Sequence, residues 1–304
     1  MVEGKHNMAG NGKRVTVIIC HQAGTAPMTE VCLEALARHT NDYQPIVLMR
    51  AGTIDIEAVS VVEGNGALLV EVDVDIPTEV SSRIHGALLD AYIPSNINTE
   101  MVMTLDSDCF PVADGWMDDL LGMLDSGARV AGILHPWEPP PESMDHHKLE
   151  WRVRSQHCWE TTHVACQMLR TDDLRELGVK YNVGDDTGLL IPLEAKKRGW
   201  RVDGFRVTRC PMPAKGAVED PEFNRYVCLV FGDKMYHHGG YSRTTTLGDN
   251  PVMAGSFGQV AEKVIFERGA EWLLNDAESY KFKFDREQQV ADEKMSRLFG
   301  LGAR

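Results

Sequence analysis

The sequence contains no apolar run approaching the ~18 residues that a membrane-spanning helix requires. Its opening Met1-Val2-Glu3-Gly4-Lys5-His6-Asn7-Met8 carries charge and glycine but no apolar core, so it does not read as a secretion signal. Cysteine is sparse: seven in 304 residues, an odd number without a short repeated spacing. That argues against a disulfide framework and for reduced thiols in a cytoplasmic setting. Positive charge is also short, with 31 Lys and Arg against 45 Asp and Glu and a net charge of −14. The surface as a whole is therefore unsuited to polyanions, although a local basic face is compatible with this balance. No internal repeat or low-complexity tract is present, which sets aside solenoids and fibrous arrays. What is there, 43% hydrophobic and 25% charged residues, suits one large globular domain or two modest ones.

Residues 1–13 read as a disordered leader. Val15 to Cys20 is a buried-strand pattern, followed by the polar loop His21-Gln22-Ala23-Gly24-Thr25. Pro27 suits the first turn of a helix, where its missing N–H costs nothing, and this helix runs to about Thr40. Strands are expected at Pro45 to Met49 and Ala67 to Val72. A helix begun by Thr78 places Val80, Ile84, Leu88 and Ala91 on one stripe, with His85 and Gly86 off its centre. The strand Met101 to Leu105, the helix from Gly115-Trp116 to Gly127 and the strand Val130 to Ile133 follow. Strands alternating with helices of this length imply a mainly parallel α/β sheet with helices on both faces.

The strand at 101–105 ends in Leu105-Asp106-Ser107-Asp108, after which Pro111 breaks it. Residues two apart on a strand share a face, so Asp106 and Asp108 can face one spot in the crevice beyond the strand ends. Two carboxylates there repel unless a cation or proton lies between them. A hard divalent ion carrying phosphate oxygens suits such a pair. The plainer alternative is a helix-capping Asp beside a solvated one.

Downstream, His135-Pro136-Trp137-Glu138-Pro139-Pro140-Pro141 reads as irregular. With Trp151 and Trp159 it suggests a substrate-facing loop, since aromatic faces bind sugar rings and apolar groups. Gly184-Asp185-Asp186-Thr187 opens an amphipathic helix ending Lys196-Lys197-Arg198-Gly199. Acid at its start and base at its end agree with the helix dipole. A strand Tyr226 to Phe231 precedes Met235-Tyr236-His237-His238-Gly239-Gly240-Tyr241-Ser242-Arg243.

In this order the pieces resemble the GT-A fold glycosyltransferases, particularly the large family 2 group. The resemblance covers about residues 14–245. It implies a Rossmann-like GT-A domain over 14–245 and leaves 246–304 as a C-terminal helical extension. It also implies a nucleotide-sugar donor, a UDP-sugar in most such enzymes, with Mn²⁺ or Mg²⁺ bridging its diphosphate. Asp108 would ligate the metal directly, and Asp106 would reach it through water or hold the ribose. One histidine of His237-His238 would complete the metal set, and the sequence leaves open which. His21, Gln22, Arg50, His85, Asp106, Ser107 and Arg243 would lie about the sugar donor. Asp186 matches the general base of inverting members, with Asp185 beside it where the family more often has Glu. Two departures concern the base of the nucleotide. Arg50 stands near the acid that usually follows the second strand, and His21-Gln22 replaces a Thr-Tyr-Asn type loop.

Lys196 to Lys215 holds seven Lys or Arg against the single acid Asp203. This patch suits a phosphate-bearing acceptor or nucleic acid, including a hydroxymethylated base in DNA. The alternative is a solvated helix end. His157, Cys158, His163 and Cys166 fit no standard zinc spacing. Residues 260–274 and 288–298 read as helices that pack on the domain, cover the sugar donor or form a homodimer contact. A non-catalytic nucleotide-sugar-binding protein and a nucleotidyltransferase are the rival readings. Both aspartate pairs speak against the first, and the absence of a Gly- and Lys-rich phosphate loop after the first strand speaks against the second.

Overall fold

The computed structural model describes residues 12–53, 55–76, 81–137, 159–182, 187–210, 228–238 and 278–279. β1 (Val15–Cys20), β2 (Tyr43–Arg50), β3 (Leu68–Val72) and β4 (Met101–Asp106) run parallel in the order β3-β2-β1-β4. β7 (Trp159–Arg170) lies antiparallel beside β4, and β6 (Ala128–Trp137) lies antiparallel to β7. β8 (Arg201–Phe205) closes the seven-stranded sheet parallel to β6. The sheet is mostly parallel, as the alternation of elements implied.

Both faces are covered, which is why its strands read as continuous apolar runs. Val15, Val17 and Ile19 of β1 enter a core with α1 (Ala26–His39), α2 (Ile56–Gly64) and α4 (Trp116–Asp125). Ile18 turns the other way, into a core with α3 (Ser81–Asn96), α5 (Thr171–Leu177) and α6 (Leu190–Lys197). Trp116, fully buried, donates its indole N–H to Thr40 Oγ1 at 2.8 Å and so ties α4 to the end of α1. Gly132 and Gly204 let β6 lie close between β7 and β8. A Cβ on Gly132 would stand 2.1 Å from Cys166 O, and one on Gly204 2.1 Å from Gly132 O.

A second sheet packs against the first core. Its order is β12 (Glu278–Ser279), β9 (Val207–Cys210), β10 (Cys228–Phe231), β11 (Met235–His238) and β5 (Cys109–Pro111), all antiparallel. Pro111 therefore does not end regular structure. It sits in β5, at the sheet's edge, where a missing N–H is tolerated. His135 to Trp137 likewise belong to β6 instead of an irregular loop. β6 pairs with β8 only as far as Ile133, so among the described residues Pro136 has a strand neighbour on one side, β7. The helix α2 was not anticipated, and Asp55 is its N-cap, accepting from Ala58 N at 3.2 Å. Glu278 and Ser279 return to the domain by pairing with β9. The helices expected at 260–274 and 288–298, and the leader apart from residues 12 and 13, lie outside the described residues. No helix among the described residues is long and apolar enough to cross a membrane.

Candidate metal and sugar-donor site

The site forms where β4 ends. β1 and β4 run in register, with Cys20 opposite Asp106, so the loop that begins at His21 starts beside that carboxylate. From the second sheet, β11 pairs with β5 and places His237 opposite Cys109. The His238 amide donates to Asp108 O at 2.9 Å, which fixes β11 against the Ser107-Asp108 turn. β6 and β7 bring His135 and His163 to the same place.

A carboxylate oxygen of Asp106, a ring nitrogen of His163 and a ring nitrogen of His237 lie within 4.8 Å of one another. The rings of His135, His163 and His237 form a buried cluster with centroids 5.5 to 5.9 Å apart. From α3, His85 Nε2 stands 3.6 Å from Asp106 Oδ1. Asp108 Oδ1 faces His237 Nε2 at 3.8 Å. Two buried atoms in this group, Asp106 Oδ1 and His237 Nδ1, make no hydrogen bond among the described residues. Leaving such atoms unsatisfied costs about 1–3 kcal/mol each, so each such atom calls for an explanation.

Burial, reinforced by His163, His135 and His238, holds the His237 pKa well below the usual 6.5. The ring is neutral, the form that binds metal. His238 points elsewhere: its Nδ1 is 2.7 Å from the Tyr236 hydroxyl, and Tyr236 packs on Phe110. Of the adjacent histidines it is His237 that joins the aspartates.

The other residues expected around the sugar donor are placed unequally. His21 is buried with both ring nitrogens engaged, Nδ1 with Thr29 Oγ1 at 2.9 Å and Nε2 with Asp55 Oδ2 at 3.2 Å. Asp55 also accepts from Gly24 N at 2.8 Å. Its pKa is lowered: burial alone would raise it, but the Gly24 and Ala58 amides and His21 outweigh that effect. An acid thus does follow β2, but its oxygens clip the β1–α1 loop to α2. Gln22 is half-buried beside that clip, its carbonyl accepting from the Thr25 amide and hydroxyl at 3.1 and 2.6 Å. Arg50 ends β2 and donates to Ile76 O at 3.4 Å. Among the described residues it has no ion-pair partner. Ser107 is half-buried in the turn between the aspartates.

Asp185, Asp186 and Arg243 lie outside the described residues, but the approach to the aspartates is defined. Asp90 of α3 accepts from Tyr181 N at 2.7 Å and Asn182 N at 3.0 Å. Gly188 N donates to Tyr181 O at 3.0 Å, so the chain on either side of 183–186 is tied together. Gly86 makes this docking feasible, since a Cβ there would stand 2.8 Å from Asn182 Cα. His85, next in sequence, faces Asp106, so one helix turn serves both parts of the site.

The basic stretch is partly spent on structure. Arg198 donates to Glu176 O and Leu177 O at 3.0 and 2.9 Å, capping the end of α5. Arg201 donates to Ser126 Oγ at 2.7 Å, at the end of α4.

No family profile matches the chain, and no curated protein sequence matches it. Among solved structures it is similar to glucosyl-3-phosphoglycerate synthase from Mycobacterium tuberculosis in complex with Mg²⁺ and UDP. That likeness has a TM-score of 0.43 and 15% identity over 64% of this chain and 69% of that one. Similarity to S. aureus TarS 1-349 has a TM-score of 0.40 and 14% identity over 63% of this chain, which spans 57% of that one. A cytidylyltransferase from Leptospira borgpetersenii serovar Hardjo-bovis is similar with a TM-score of 0.40 and 12% identity over 64% of this chain and 76% of that one. The functional reading therefore rests on the side chains and not on these likenesses.

Proposed function

We propose that the protein is a metal-dependent glycosyltransferase that moves a sugar from a nucleotide-sugar donor to an acceptor hydroxyl with inversion. The observation that carries this reading is the buried pair of atoms without hydrogen bonds, Asp106 Oδ1 and His237 Nδ1, at the carboxyl end of the parallel strands. That is the place where α/β sheets bind ligands. A carboxylate and a neutral imidazole left open together are a fitting donor set for a divalent cation. One nitrogen among them suits Mn²⁺ better than Mg²⁺, which prefers an all-oxygen shell. When bound, the cation supplies charge neutralisation to the departing nucleoside diphosphate.

In this reading Asp106 and His237 are the direct ligands, and Asp108 stands behind His237. At 3.8 Å from Nε2, beyond hydrogen-bond distance, the Asp108 charge favours the hydrogen on that nitrogen and so leaves Nδ1 its lone pair, the outer-shell place that a carboxylate commonly takes. The two aspartates thereby exchange the roles that the family resemblance implied. Gln22 and Arg50 line the β1 and β2 ends for the nucleotide, while His21 and Asp55 hold the loop in place. Asp186 takes the proton from the acceptor hydroxyl as its oxygen attacks the anomeric carbon opposite the leaving diphosphate. Asp90 and Gly86 hold Tyr181 and Asn182, a few residues before it in sequence.

The test is a thermal-shift panel of UDP-, GDP-, CMP- and dTDP-sugars with and without Mn²⁺. Stabilisation by one of them that requires Mn²⁺ supports the reading, and none by any refutes it.

A further inference from the structure

His163 stands among the atoms that surround the proposed metal position, and distance alone would make it a third ligand. Its hydrogen bonding says otherwise. The amide of Ala165, two residues on in the same strand, donates to His163 Nδ1 at 3.1 Å, with both groups buried. In a neutral imidazole one nitrogen carries the hydrogen and the other accepts. With Nδ1 accepting, the hydrogen is on Nε2. Neither nitrogen then has a lone pair for a cation: one is directed at the Ala165 N–H and the other is bonded to hydrogen. His237 is the reverse case, with a buried Nδ1 that makes no hydrogen bond and an Nε2 that faces a carboxylate.

We infer that His163 is a hydrogen-bond donor in this site and not a metal ligand, its Nε2–H directed to a diphosphate oxygen of the nucleotide-sugar donor. The inference rests on the proposed function. Its logic is chemical. The diphosphate brings negative oxygens to a pocket with Asp106 and Asp108 already in it, and a neutral N–H meets them without needing a buried cation of its own. His135, whose ring centroid is 5.5 Å from that of His163, backs the ring from β6. The backbone bond from Ala165 sets the tautomer before any ligand arrives, so the donor is preorganised in the sense that matters for stabilising a departing anion.

The experiment separates ligand from hydrogen-bond donor. Calorimetric titration with Mn²⁺ alone, then with inorganic pyrophosphate in the presence of Mn²⁺, is applied to the native protein, His163→Leu, His163→Gln and His237→Ala. Pyrophosphate carries the diphosphate without committing to a base. Mn²⁺ affinity is expected to change less than about threefold in both His163 variants and to be lost in His237→Ala. Pyrophosphate affinity is expected to fall about tenfold to a hundredfold in His163→Leu. His163→Gln should recover most of it, since its carboxamide can accept from Ala165 and still donate. Loss of Mn²⁺ binding in both His163 variants would make His163 a ligand and overturn the inference. Unchanged pyrophosphate affinity in His163→Leu would reduce it to packing, with the same result. Should His163→Leu fail to fold, ¹⁵N spectra of the native imidazoles with added Zn²⁺ decide the point. Retention of the Nε2–H form at His163 supports the inference, and its loss overturns it. Failure of the native protein to bind Mn²⁺ at all refutes the functional reading itself, which the native control makes distinguishable.

Discussion

Gly86→Ala tests whether the docking of Tyr181 and Asn182 on α3 is part of the working geometry. The added Cβ would lie 2.8, 2.9 and 3.0 Å from the Asn182 Cα, N and Cβ atoms, two of them backbone. Carbon atoms in contact settle near ~3.5–4.0 Å, so helix and segment must part by about 0.5–1 Å. The two hydrogen bonds from Asp90, at 2.7 and 3.0 Å, resist that motion. Overpacking of this kind costs about 1–3 kcal/mol, and replacing a helical glycine returns about 0.8–1.0 kcal/mol. The net loss of about 0–2 kcal/mol corresponds to a fall in Tm of less than ~8 °C for a domain of this size. Turnover should suffer far more, because a displacement of about 1 Å in a reacting group costs on the order of a hundredfold. The assay is release of nucleoside diphosphate from whichever nucleotide sugar the panel identifies, beside Mn²⁺ titration and a melting curve. The expected result is native Mn²⁺ affinity, a modest Tm change and a kcat lower by about a hundredfold. Native kcat with an unchanged Tm would show that Asn182 moves aside without consequence, and that the segment is not held for catalysis.

Asp186→Asn should leave Mn²⁺-dependent binding of the nucleotide sugar intact and remove transfer, and full activity would end the assignment of Asp186 as base. Asp106→Ala should abolish Mn²⁺ binding, whereas Asp108→Asn should weaken it only about 10- to 100-fold, as loss of an outer-shell partner does. Calorimetry showing the opposite order would return the aspartates to the roles that the resemblance implied. Stability should decline on acidification in a way that depends on His237. Its folded pKa lies well below the ordinary 6.5 because of burial, so above that pH neither state is protonated. As the pH falls below it, the unfolded chain takes up a proton that the folded one refuses. The slope reaches about 1.4 kcal/mol per pH unit. The buried His21, its pKa also lowered by burial, acts in the same direction. Melting curves from pH 8 to pH 5 should be flatter for His237→Gln, and superimposable profiles would contradict this account.

Much of the architecture was legible because α/β order is written in local signals. The apolar run Val15 to Cys20, the Pro27 helix start and the helix-ending Gly127 (φ 102) and Gly199 (φ 74) each mark an element that the fold contains. Pro111 and Pro136 misled because proline reports only a missing N–H. Whether that absence matters depends on which neighbour faces it, and strand pairing is a tertiary property. Asp55 was passed over for a similar reason. Its value as a cap depends on the amides of Gly24 and Ala58, brought to it by a loop about 30 residues earlier and by the first turn of α2.

The histidine cluster was hidden by strand direction. A parallel β7 would carry His163 to the amino end of the sheet, far from Asp106, and the alternation of strands and helices argues for parallel pairing. β7 instead runs antiparallel, with Cys166 opposite Leu105. Continuing that register past the end of β4 puts Ala165 level with Asp106 and His163 level with Asp108. An antiparallel strand in a parallel sheet thus presents its beginning where its neighbours present their ends. His163, at the start of β7, therefore meets Asp106, at the end of β4, although nothing in the spacing of the two residues suggests it. His135 reaches the same place by the opposite rule, near the end of β6, which runs parallel to β4 once two antiparallel pairings are counted. His237 comes from a different sheet, through the pairing of β11 with β5, the short strand just beyond Asp108. The acidic turn is consequently the one part of the proposed metal position whose location could be read locally. The imidazoles arrive by three separate routes: the reversed strand brings His163 and its polar hydrogen, β6 brings His135, and the second sheet brings His237, whose nitrogen in the proposed reading suits Mn²⁺ where two carboxylates alone would suit Mg²⁺.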